Sequence, residues 1–414
     1  MPQATVLVLG TCDTKLKELL FLRDNIEQAS SVRTLLLDVG RDNVEHERID
    51  ISQAQLIADH GQGQTTTDLP RGEVVKLMAS CAARAVKGLL ENGDISGIIS
   101  AGGSGGTSLA AQVMREALPI GFPKMIVSTV ASGDTGPIVG ETDITMMYSV
   151  VDVAGLNQVL RDVIGNAAAA IAGMAQAYAS RPRMSNKEDK KKKRVGITMF
   201  GVTTPGADAI RDRLEGKYGA EAFVFHATGH GGKAMERLVR EGKLDAVADL
   251  TTTEICDLIT GGAMSAEPDR MEAAVQAGIP CVISVGATDM SNFGPKNTVP
   301  EAYRSRNLYE HNPVVTLMRS SKDESKQVGE FIVKKVKMAK TPKAVQVWLP
   351  LGGVSMIATP GGPFADAEAD ETLFETIRAG LKGTEIKVVE DQRDVNDQGF
   401  AQDVADALAG LMGL

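Results

Sequence analysis

The segment from residue 98 to residue 117 reads IISAGGSGGTSLAAQVMREA, and it decides the fold. A short apolar strand, Ile98–Ser100, leads into a turn made of glycine and serine at Gly102–Gly106. From Ser108 to Ala117 the apolar residues recur at helical spacing. A buried strand, a glycine-rich turn and a helix in immediate succession are typical of a parallel α/β sheet.

The same alternation continues on both sides of this segment. Strands are predicted in the first half at Thr5–Leu9, Arg33–Val39, Ile98–Ser100 and Lys124–Val130, and in the second half at Val195–Phe200, Ala222–Ala227, Leu244–Leu250 and Ile279–Val285. Helices are predicted between them, for example at Lys15–Gln28, Val74–Leu90 and Lys233–Glu241. Near-continuous apolar strands separated by helices indicate parallel sheets that are covered on both faces. The predicted fold class is α/β, with two Rossmann-like halves, each a mostly parallel sheet with helices on both faces.

A charged segment separates the two halves. Residues 181–194, RPRMSNKEDKKKKR, contain almost nothing to bury. A basic run can bind nucleic acid, but a solvated linker is the simpler interpretation. The predicted organisation is an N-terminal α/β nucleotide-binding domain over residues 1–180, this linker, and a C-terminal α/β domain over residues 195–414.

Composition argues against several classes of function. The 414 residues carry 44 Lys and Arg against 53 Asp and Glu, a formal charge of −9, and aromatic residues make up 4%. Nucleic-acid binding is therefore not expected. The four cysteines are far apart and form no zinc or disulfide pattern. No signal peptide or membrane-spanning stretch is recognisable, so a cytoplasmic protein without membrane contact is expected.

The turn at Gly102, Gly103, Ser104, Gly105 and Gly106 is the strongest candidate for a ligand site. Successive backbone N–H groups in such a turn bind anions, and the start of the following helix adds partial positive charge. The hydroxyl of Thr107 adds a further donor. The turn matches neither the Walker A pattern nor G-x-G-x-x-G, and the alternative is a turn that only lets the helix pack on the sheet.

Other strand ends in the first half are also polar. After the first strand, Thr11, Thr14 and Lys15 could bind phosphate while Asp13 takes a ribose hydroxyl or a metal ion; the alternative is a helix cap. Thr129 lies at the end of the fourth strand, and Ser132, Gly133 and Asp134 follow it. Asp134 is a candidate to hold Mg²⁺ through water, and the alternative is an Asp-Thr-Gly turn.

The second half repeats the pattern. A second anion-binding turn is predicted from Thr228, Gly229, Gly231 and Gly232. Thr252, Thr253 and Glu254 follow another strand and suggest a polar pocket. Glu254, His311 and Arg319 are candidate catalytic residues, as proton carriers or an anion clamp. Alternatively they form a structural hydrogen-bond network.

Several longer strings resemble one family. They are GTCDTK (10–15), GGSGGT (102–107), VSTVASGD (127–134), DITMMYSVVD (143–152), TMFGVTTP (198–205), FHATG (225–229), DLTTTE (249–254), HNP (311–313) and TLMR (316–319). The chain resembles, over essentially its whole length, the family of the ATP-binding domain of the tomato mosaic virus resistance protein, which includes uncharacterised microbial members. The resemblance implies two Rossmann-like halves, bound ATP with Mg²⁺, and a homodimer.

The sequence thus predicts a nucleotide-binding protein whose phosphates are held by the Gly102–Gly106 turn. One hypothesis is ATP-dependent chemistry on a small metabolite at a cleft between the domains. A second is a non-catalytic, ATP-regulated dimeric module that binds a protein partner. A third is an enzyme that acts on a phosphorylated or carboxylate small molecule and uses no nucleotide.

Overall fold

The computed structural model describes residues 3–29, 31–66, 69–181 and 192–414. The chain divides into two compact units, Met1–Ser185 and Asn186–Leu414. Most of the expected linker, residues 182–191, lies outside the described residues. Each unit has its own sheets and its own apolar core, so each is described by itself.

The first unit contains one five-stranded parallel sheet. Its strands are β1 (Thr5–Gly10), β2 (Arg33–Asp38), β3 (Gly97–Gly102), β4 (Lys124–Ser128) and β5 (Thr145–Tyr148), in the order β2-β1-β3-β4-β5. Its helices are α1 (Cys12–Ala29), α2 (Gln53–His60), α3 (Arg71–Asn92), α4 (Ser104–Ala117), α5 (Gly136–Val139) and α6 (Gln158–Ser180).

Both faces of this sheet are buried. Alternate residues of β1 enter two different cores, because side chains alternate across a strand. Leu7 and Leu9 pack in the core with α3 and α4, whereas Val6 and Val8 pack in the core with α1 and α6. The continuous apolar pattern of the strand follows from this two-sided burial.

The second unit contains a six-stranded parallel sheet and a smaller antiparallel one. The large sheet has β6 (Arg194–Met199), β7 (Glu221–His226), β8 (Ala246–Thr251), β9 (Cys281–Gly286), β13 (Val345–Pro350) and β14 (Lys387–Asp391), in the order β14-β13-β9-β8-β6-β7. The small sheet has β10 (Met290–Phe293), β11 (Leu308–Asn312) and β12 (Val315–Arg319), in the order β10-β12-β11. The helices are α7 (Thr204–Tyr218), α8 (His230–Arg240), α9 (Glu254–Thr260), α10 (Glu272–Ala277), α11 (Lys322–Val336), α12 (Ala367–Leu381) and α13 (Gln398–Met412).

The predicted fold class is confirmed: both units are α/β, with mostly parallel sheets and helices on both sides. The antiparallel sheet was not predicted. Its outer strand β11 is largely exposed, so it lacks the continuous apolar pattern by which the buried strands were recognised. Within the described residues, no helix is both long enough and apolar enough to cross a bilayer.

Candidate functional site

A cleft of about 550 Å³ opens at the carboxyl ends of the strands in the first unit. The order β2-β1-β3 makes the boundary between β1 and β3 the point where the chain reverses its direction of travel across the sheet, and open α/β sheets bind ligands there. Segments that follow β1, β2 and β3 all contribute to the cleft. Its lining residues are Thr11, Asp13, Thr14, Lys15, Val39, Arg41, Asp42, Arg71, Val74, Val75, Gly102, Gly103, Ser104, Gly105, Gly106, Leu109 and Asp152.

The Gly102–Gly106 turn forms one wall, and its backbone would tolerate side chains. None of its glycines has a positive φ. A Cβ atom on Gly103 or Gly105 would come no closer than 3.8 Å to a neighbouring atom, and one on Gly106 would meet nothing within 4 Å. Protein packing therefore does not explain these three glycines. A ligand that approaches the backbone would explain them.

The same turn begins α4, a helix of 14 residues. Gly103 is the residue before the helix, and no side chain caps the first turn. The first N–H groups of a helix have no partner inside the helix and carry partial positive charge. They lie in the wall of the cleft, where an anion would satisfy them.

Three cationic side chains line the cleft: Lys15, Arg41 and Arg71. Arg41 donates a hydrogen bond from Nη2 to the carbonyl oxygen of Leu69 at 3.2 Å. Among the residues that the structure describes, none of the three cations forms an ion pair with a carboxylate. Together with the start of α4, they make this cleft suitable for an anion.

Thr11 and Thr14 shape the turn after β1. Their hydroxyl oxygens lie 2.9 Å apart, and the carbonyl oxygen of Thr11 accepts the N–H groups of Thr14 and Lys15. Lys15 departs from helical geometry, with φ of −132° and ψ of 16°. Lys15 therefore marks a kink after the first turn of α1, and this first turn lines the cleft.

Asp13 joins two loops of the cleft wall. Its Oδ2 accepts the N–H groups of Arg41 at 2.9 Å and Asp42 at 3.3 Å, and its Oδ1 is buried. Asp13 therefore organises the wall through Oδ2, whereas its buried Oδ1 has no hydrogen-bond partner within the described structure. The other two carboxylates of the cleft, Asp42 and Asp152, are exposed.

The remaining residues predicted in the first unit do not line this cleft. Thr107 is buried, and its hydroxyl lies 2.7 Å from that of Ser128. The hydroxyl oxygen of Thr129 lies 3.8 Å from the position that a Cβ atom of Gly103 would take. Ser132, Gly133 and Asp134 are exposed on the loop after β4. Asp134 accepts the N–H of Gly136 at 3.0 Å, as in the Asp-Thr-Gly turn that was the alternative interpretation.

The second predicted anion-binding turn exists, but the chain's own carboxylate fills it. Glu254 Oε1 accepts the N–H groups of Gly229 at 2.7 Å and Gly232 at 3.1 Å. Its Oε2 accepts Nε of Arg270 at 2.8 Å. The geometry thus corrects the prediction that Gly229, Gly231, Gly232 and Thr228 hold a phosphate, because the position of the anion is taken. It also gives Glu254 a structural role.

Thr252 and Thr253 are likewise part of the packed interior. Both are fully buried, and their hydroxyls donate to the carbonyl oxygens of Ser284 and Met290. Beside them Asp249 accepts two hydrogen bonds from Arg270, each of 2.7 Å. These threonines serve the polar network that was the alternative interpretation, rather than an open pocket.

Arg319 and His311 are placed differently from one another. Arg319 is buried and donates to Asp370 at 2.6 Å and to the carbonyl oxygen of Phe364 at 2.7 Å. It is therefore held within the second unit rather than presented as an anion clamp. His311 is exposed on β11.

Sequence reasoning missed several residues of the cleft. They are the charged Arg41, Asp42, Arg71 and Asp152 and the apolar Val39, Val74, Val75 and Leu109. A signal existed for two of them, because Arg41 and Asp42 follow the carboxyl end of β2. Arg71 begins α3, 31 residues before Gly102 ends β3, and nothing in the local sequence joins the two.

Metal binding has limited support from side chains. No group of three or more His, Cys, Asp or Glu residues that could hold a metal ion occurs in the described parts of the chain. Mg²⁺ in nucleotide sites needs fewer, because it keeps water and phosphate oxygens among its ligands. Asp152 is an exposed carboxylate of the cleft that fits this second kind of site.

Comparison with known proteins identifies the family. The N-terminal and C-terminal domain models of the uncharacterised protein family UPF0261 match residues 4–180 and 192–412. A UPF0261 protein of Clostridium tetani is 44% identical, over 98% of each chain. The tomato (Solanum lycopersicum) ToMV resistance protein Tm-1(GCR237) is 38% identical over 97% of this chain and 55% of its own length. The chain belongs to the UPF0261 family.

Solved structures give only a distant likeness. A putative UDP-N-acetylglucosamine 2-epimerase from Listeria monocytogenes is 10% identical, with coverage of 92% of this chain and 98% of that one and a TM-score of 0.23. A likeness at this level says nothing about function.

Proposed function

We propose that the first unit binds a nucleoside triphosphate, ATP, in the cleft between the ends of β1 and β3. The observation that carries the proposal is the Gly103–Gly106 backbone, which leaves open space beside an uncapped helix start. Phosphate oxygens would accept these N–H groups and interact with Lys15 and Arg71. The resemblance to the ATP-binding domain of the tomato mosaic virus resistance protein supports the same ligand, since the tomato protein matches 97% of this chain over 55% of its own length.

The cleft also has an apolar side. Val39, Val74, Val75 and Leu109 line it together with the cations. Small-molecule sites typically combine an apolar lining with a few placed polar groups, in a volume of about 300 to 1,000 Å³. A ligand with an anionic end and a flat apolar end, such as ATP, suits this division better than a simple inorganic anion.

Mg²⁺ would enter with the nucleotide. Asp152 would hold it, through water, while the phosphates supply its other ligands. The bound ion would neutralise phosphate charge. The chain's own residues would bind and orient the phosphates through the α4 N–H groups, Lys15 and Arg71.

Isothermal calorimetry of the full chain with ATP, in the presence and absence of Mg²⁺, tests the proposal. The nucleotide in the same sample would then be analysed. Binding that leaves ATP intact and strengthens a homodimer, seen by light scattering, supports a regulatory role. Binding with ADP formation supports an enzyme that acts on a second substrate. If inorganic phosphate binds and ATP does not, a phosphorylated small molecule replaces the nucleotide in the proposal.

Variants locate the site. Gly103→Val adds a side chain to a residue of the cleft lining at an extended backbone position, with φ of −78° and ψ of −167°, so the protein should fold and ATP affinity should fall roughly 100-fold. Gly133→Val makes the same chemical change outside the cleft and should leave affinity unchanged. Arg71→Ala should weaken ATP roughly tenfold, whereas Lys76→Ala, on the exposed side of the same helix, should not. Undiminished affinity in a folded Gly103→Val variant would sink the proposal.

A further inference from the structure

The backbone of Arg41 is held by side chains from two other parts of the chain. Asp13 Oδ2 accepts the N–H of Arg41 at 2.9 Å. Gln53, the first residue of α2, donates from Nε2 to the carbonyl oxygen of Arg41 at 2.9 Å. Gln53 is buried, and the same Nε2 also donates to Thr66 Oγ1 at 3.3 Å. Both backbone polar groups of Arg41 therefore have side-chain partners, although Arg41 lies outside any strand or helix.

The two residues after Arg41 are tied down in the same way. Asp13 Oδ2 also accepts the N–H of Asp42 at 3.3 Å. Asn43 Oδ1 accepts the N–H of Ala54, in the first turn of α2, at 3.3 Å. The segment 41–43 is thus bonded to α1 on one side and to α2 on the other. A segment that is ordered before a ligand arrives costs less entropy when the ligand binds.

The side chain of Arg41 is exposed and extends toward the start of α3. Its Nη2 donates to the carbonyl oxygen of Leu69 at 3.2 Å. Arg71 follows two residues later, and its Nη2 lies 3.8 Å from the position that a Cβ atom of Gly105 would take. The cations of the cleft therefore extend from the turn after β3, where Arg71 lies, to the loop after β2, where Arg41 lies. A ligand with several phosphate groups would meet cations along this length.

We propose that Arg41 is a third anion-binding side chain of the cleft, beside Lys15 and Arg71, and that Gln53 is a positioning residue that acts through Arg41. Gln53 does not line the cleft. It fixes the backbone from which the guanidinium extends, so that a side chain with many rotamers meets the phosphates at a lower entropic cost. The effect on ATP binding rests on the proposed function, whereas the hold of Gln53 on the loop does not.

Amide hydrogen exchange of the ligand-free full chain tests the hold of Gln53 by itself. Gln53→Met keeps a side chain of similar size and removes both donated hydrogen bonds. Gln55→Met makes the same change at an exposed position of the same helix. The amides of Arg41 and Asp42 should exchange roughly threefold to tenfold faster in Gln53→Met and at the wild-type rate in Gln55→Met. Wild-type exchange at both amides in Gln53→Met would overturn the positioning role.

Calorimetry with ATP at two salt concentrations tests the role of Arg41. Arg41→Leu should weaken ATP binding roughly tenfold at about 50 mM NaCl and only roughly threefold at about 500 mM, because salt screens the contact between an exposed cation and phosphate. Arg33→Leu removes an exposed arginine at the opposite end of β2 and should leave ATP affinity unchanged. Undiminished affinity in Arg41→Leu, or a loss that does not depend on salt, contradicts an anion-binding role for Arg41.

The double variant decides whether Gln53 acts through Arg41. Gln53→Met should weaken ATP binding roughly threefold in the wild type and have no further effect in Arg41→Leu. The same loss in both backgrounds would mean that Gln53 supports the cleft as a whole, and the positioning role would be wrong. Gln53→Glu, which keeps the size but has no N–H to donate, replaces Gln53→Met if that variant fails to fold. If the wild type itself does not bind ATP, the proposed function is refuted, and hydrogen exchange still decides the hold of Gln53 on the loop.

Discussion

The two units share the order of their inner strands but differ at the end where ligands bind. The order β2-β1-β3-β4 in the first unit corresponds to β7-β6-β8-β9 in the second. Both therefore reverse direction between equivalent strands, and both carry glycine-rich turns at the carboxyl ends. We call the carboxyl ends of the strands in each unit, with the turns that follow them, the carboxyl edge of that unit. The carboxyl edge of the first unit opens into a cleft, whereas in the second unit the chain's own side chains fill it.

The glycines show the difference most clearly. A Cβ atom on Gly106 would meet nothing within 4 Å. A Cβ atom on Gly231 would overlap the carbonyl oxygen of His226, and one on Gly232 would overlap the carboxylate of Glu254. Glycine is required in the second unit by packing, and in the first it leaves space that packing does not use. A glycine-rich turn in a sequence is compatible with either.

The charges differ in the same way. In the second unit Arg270 is bound by Asp249 and Glu254, so anion and cation are both built in. In the first unit Lys15 and Arg71 line the cleft without a carboxylate partner among the described residues. The cation of the second unit is paired with built-in carboxylates, whereas the cations of the first cleft form no ion pair among the described residues.

The largest expected effect is that of Glu254→Ala. It removes the acceptor of two buried N–H groups and one partner of a buried arginine, which should cost about 3 to 5 kcal/mol of unfolding free energy. The single tryptophan, Trp348, is buried on β13 and reports on the second unit alone. Its fluorescence during urea unfolding would measure the loss.

Glu254→Gln is the matched control for this prediction. Its side-chain oxygen still accepts the N–H groups of Gly229 and Gly232, while the charge opposite Arg270 is lost. We expect a smaller loss, about 1 to 3 kcal/mol. If both variants unfold at the same urea concentration as the wild type, Glu254 does not stabilise the second unit, and the contrast between the two units is wrong.

Gly231→Ala against Gly106→Ala compares the two turns directly. Both residues lie in the first turn of a helix, α8 or α4. Alanine at 231 must displace the backbone of His226, so we expect a loss of about 3 kcal/mol or more. Alanine at 106 enters open space and should change stability by less than about 1 kcal/mol. Thermal unfolding followed by circular dichroism measures both, and equal losses would contradict the comparison.

The fold was predictable because short stretches of consecutive residues determine its strands, helices and turns. The apolar runs at Val6–Leu9 and Ile98–Ser100 indicated buried strands without any knowledge of their neighbours. The Gly102–Gly106 turn was found in the same way, because glycines, hydroxyls and a helix start are consecutive in the sequence.

The side chains that reach the turns at the carboxyl ends of the strands could not be predicted in this way. Glu254 fills the turn at Gly229, 25 residues earlier in the chain, and only the folded structure brings them together. Arg71 reaches the cleft from the start of a helix that precedes β3. Whether a turn faces a ligand or a side chain depends on such long-range contacts.

The stability of the second unit should also depend on pH. Burial raises the pKa of Asp289 to about 7, against the opposing effect of Arg319. Because this pKa lies above the unfolded value, 3.8, ionisation of Asp289 disfavours folding, and the stability of the second unit should fall as the pH rises through 7. Asp289→Asn keeps the acceptor for Ser355 and should be more stable than the wild type at pH 8, by roughly 1 to 3 kcal/mol.

Urea unfolding at pH 5 and pH 8, read from Trp348, checks this expectation. Asp370→Asn is an unsuitable control because Asp370 is bonded to Arg319. Asp212→Asn, on the exposed face of α7, changes a carboxyl far less buried and should keep the wild-type pH dependence. A wild-type stability that rises between pH 5 and pH 8, with the same rise in Asp289→Asn, would show that this carboxyl is not neutral in the folded protein at low pH.

The smallest expected effect is that of Thr253→Val. This variant tests whether a buried hydroxyl of the second unit affects ATP binding. The hydroxyl of Thr253 donates to the carbonyl oxygen of Met290 at 3.4 Å and is fully buried. Valine has the same shape without the donor, so stability should fall by about 1 kcal/mol. ATP affinity should change less than twofold, because the hydroxyl is turned into the interior of the second unit. Calorimetry on Thr253→Val and Gly103→Val, measured side by side, makes the comparison. If Thr253→Val weakens ATP binding tenfold while Trp348 reports an intact second unit, the second unit also affects ATP binding and the contrast between the units is wrong.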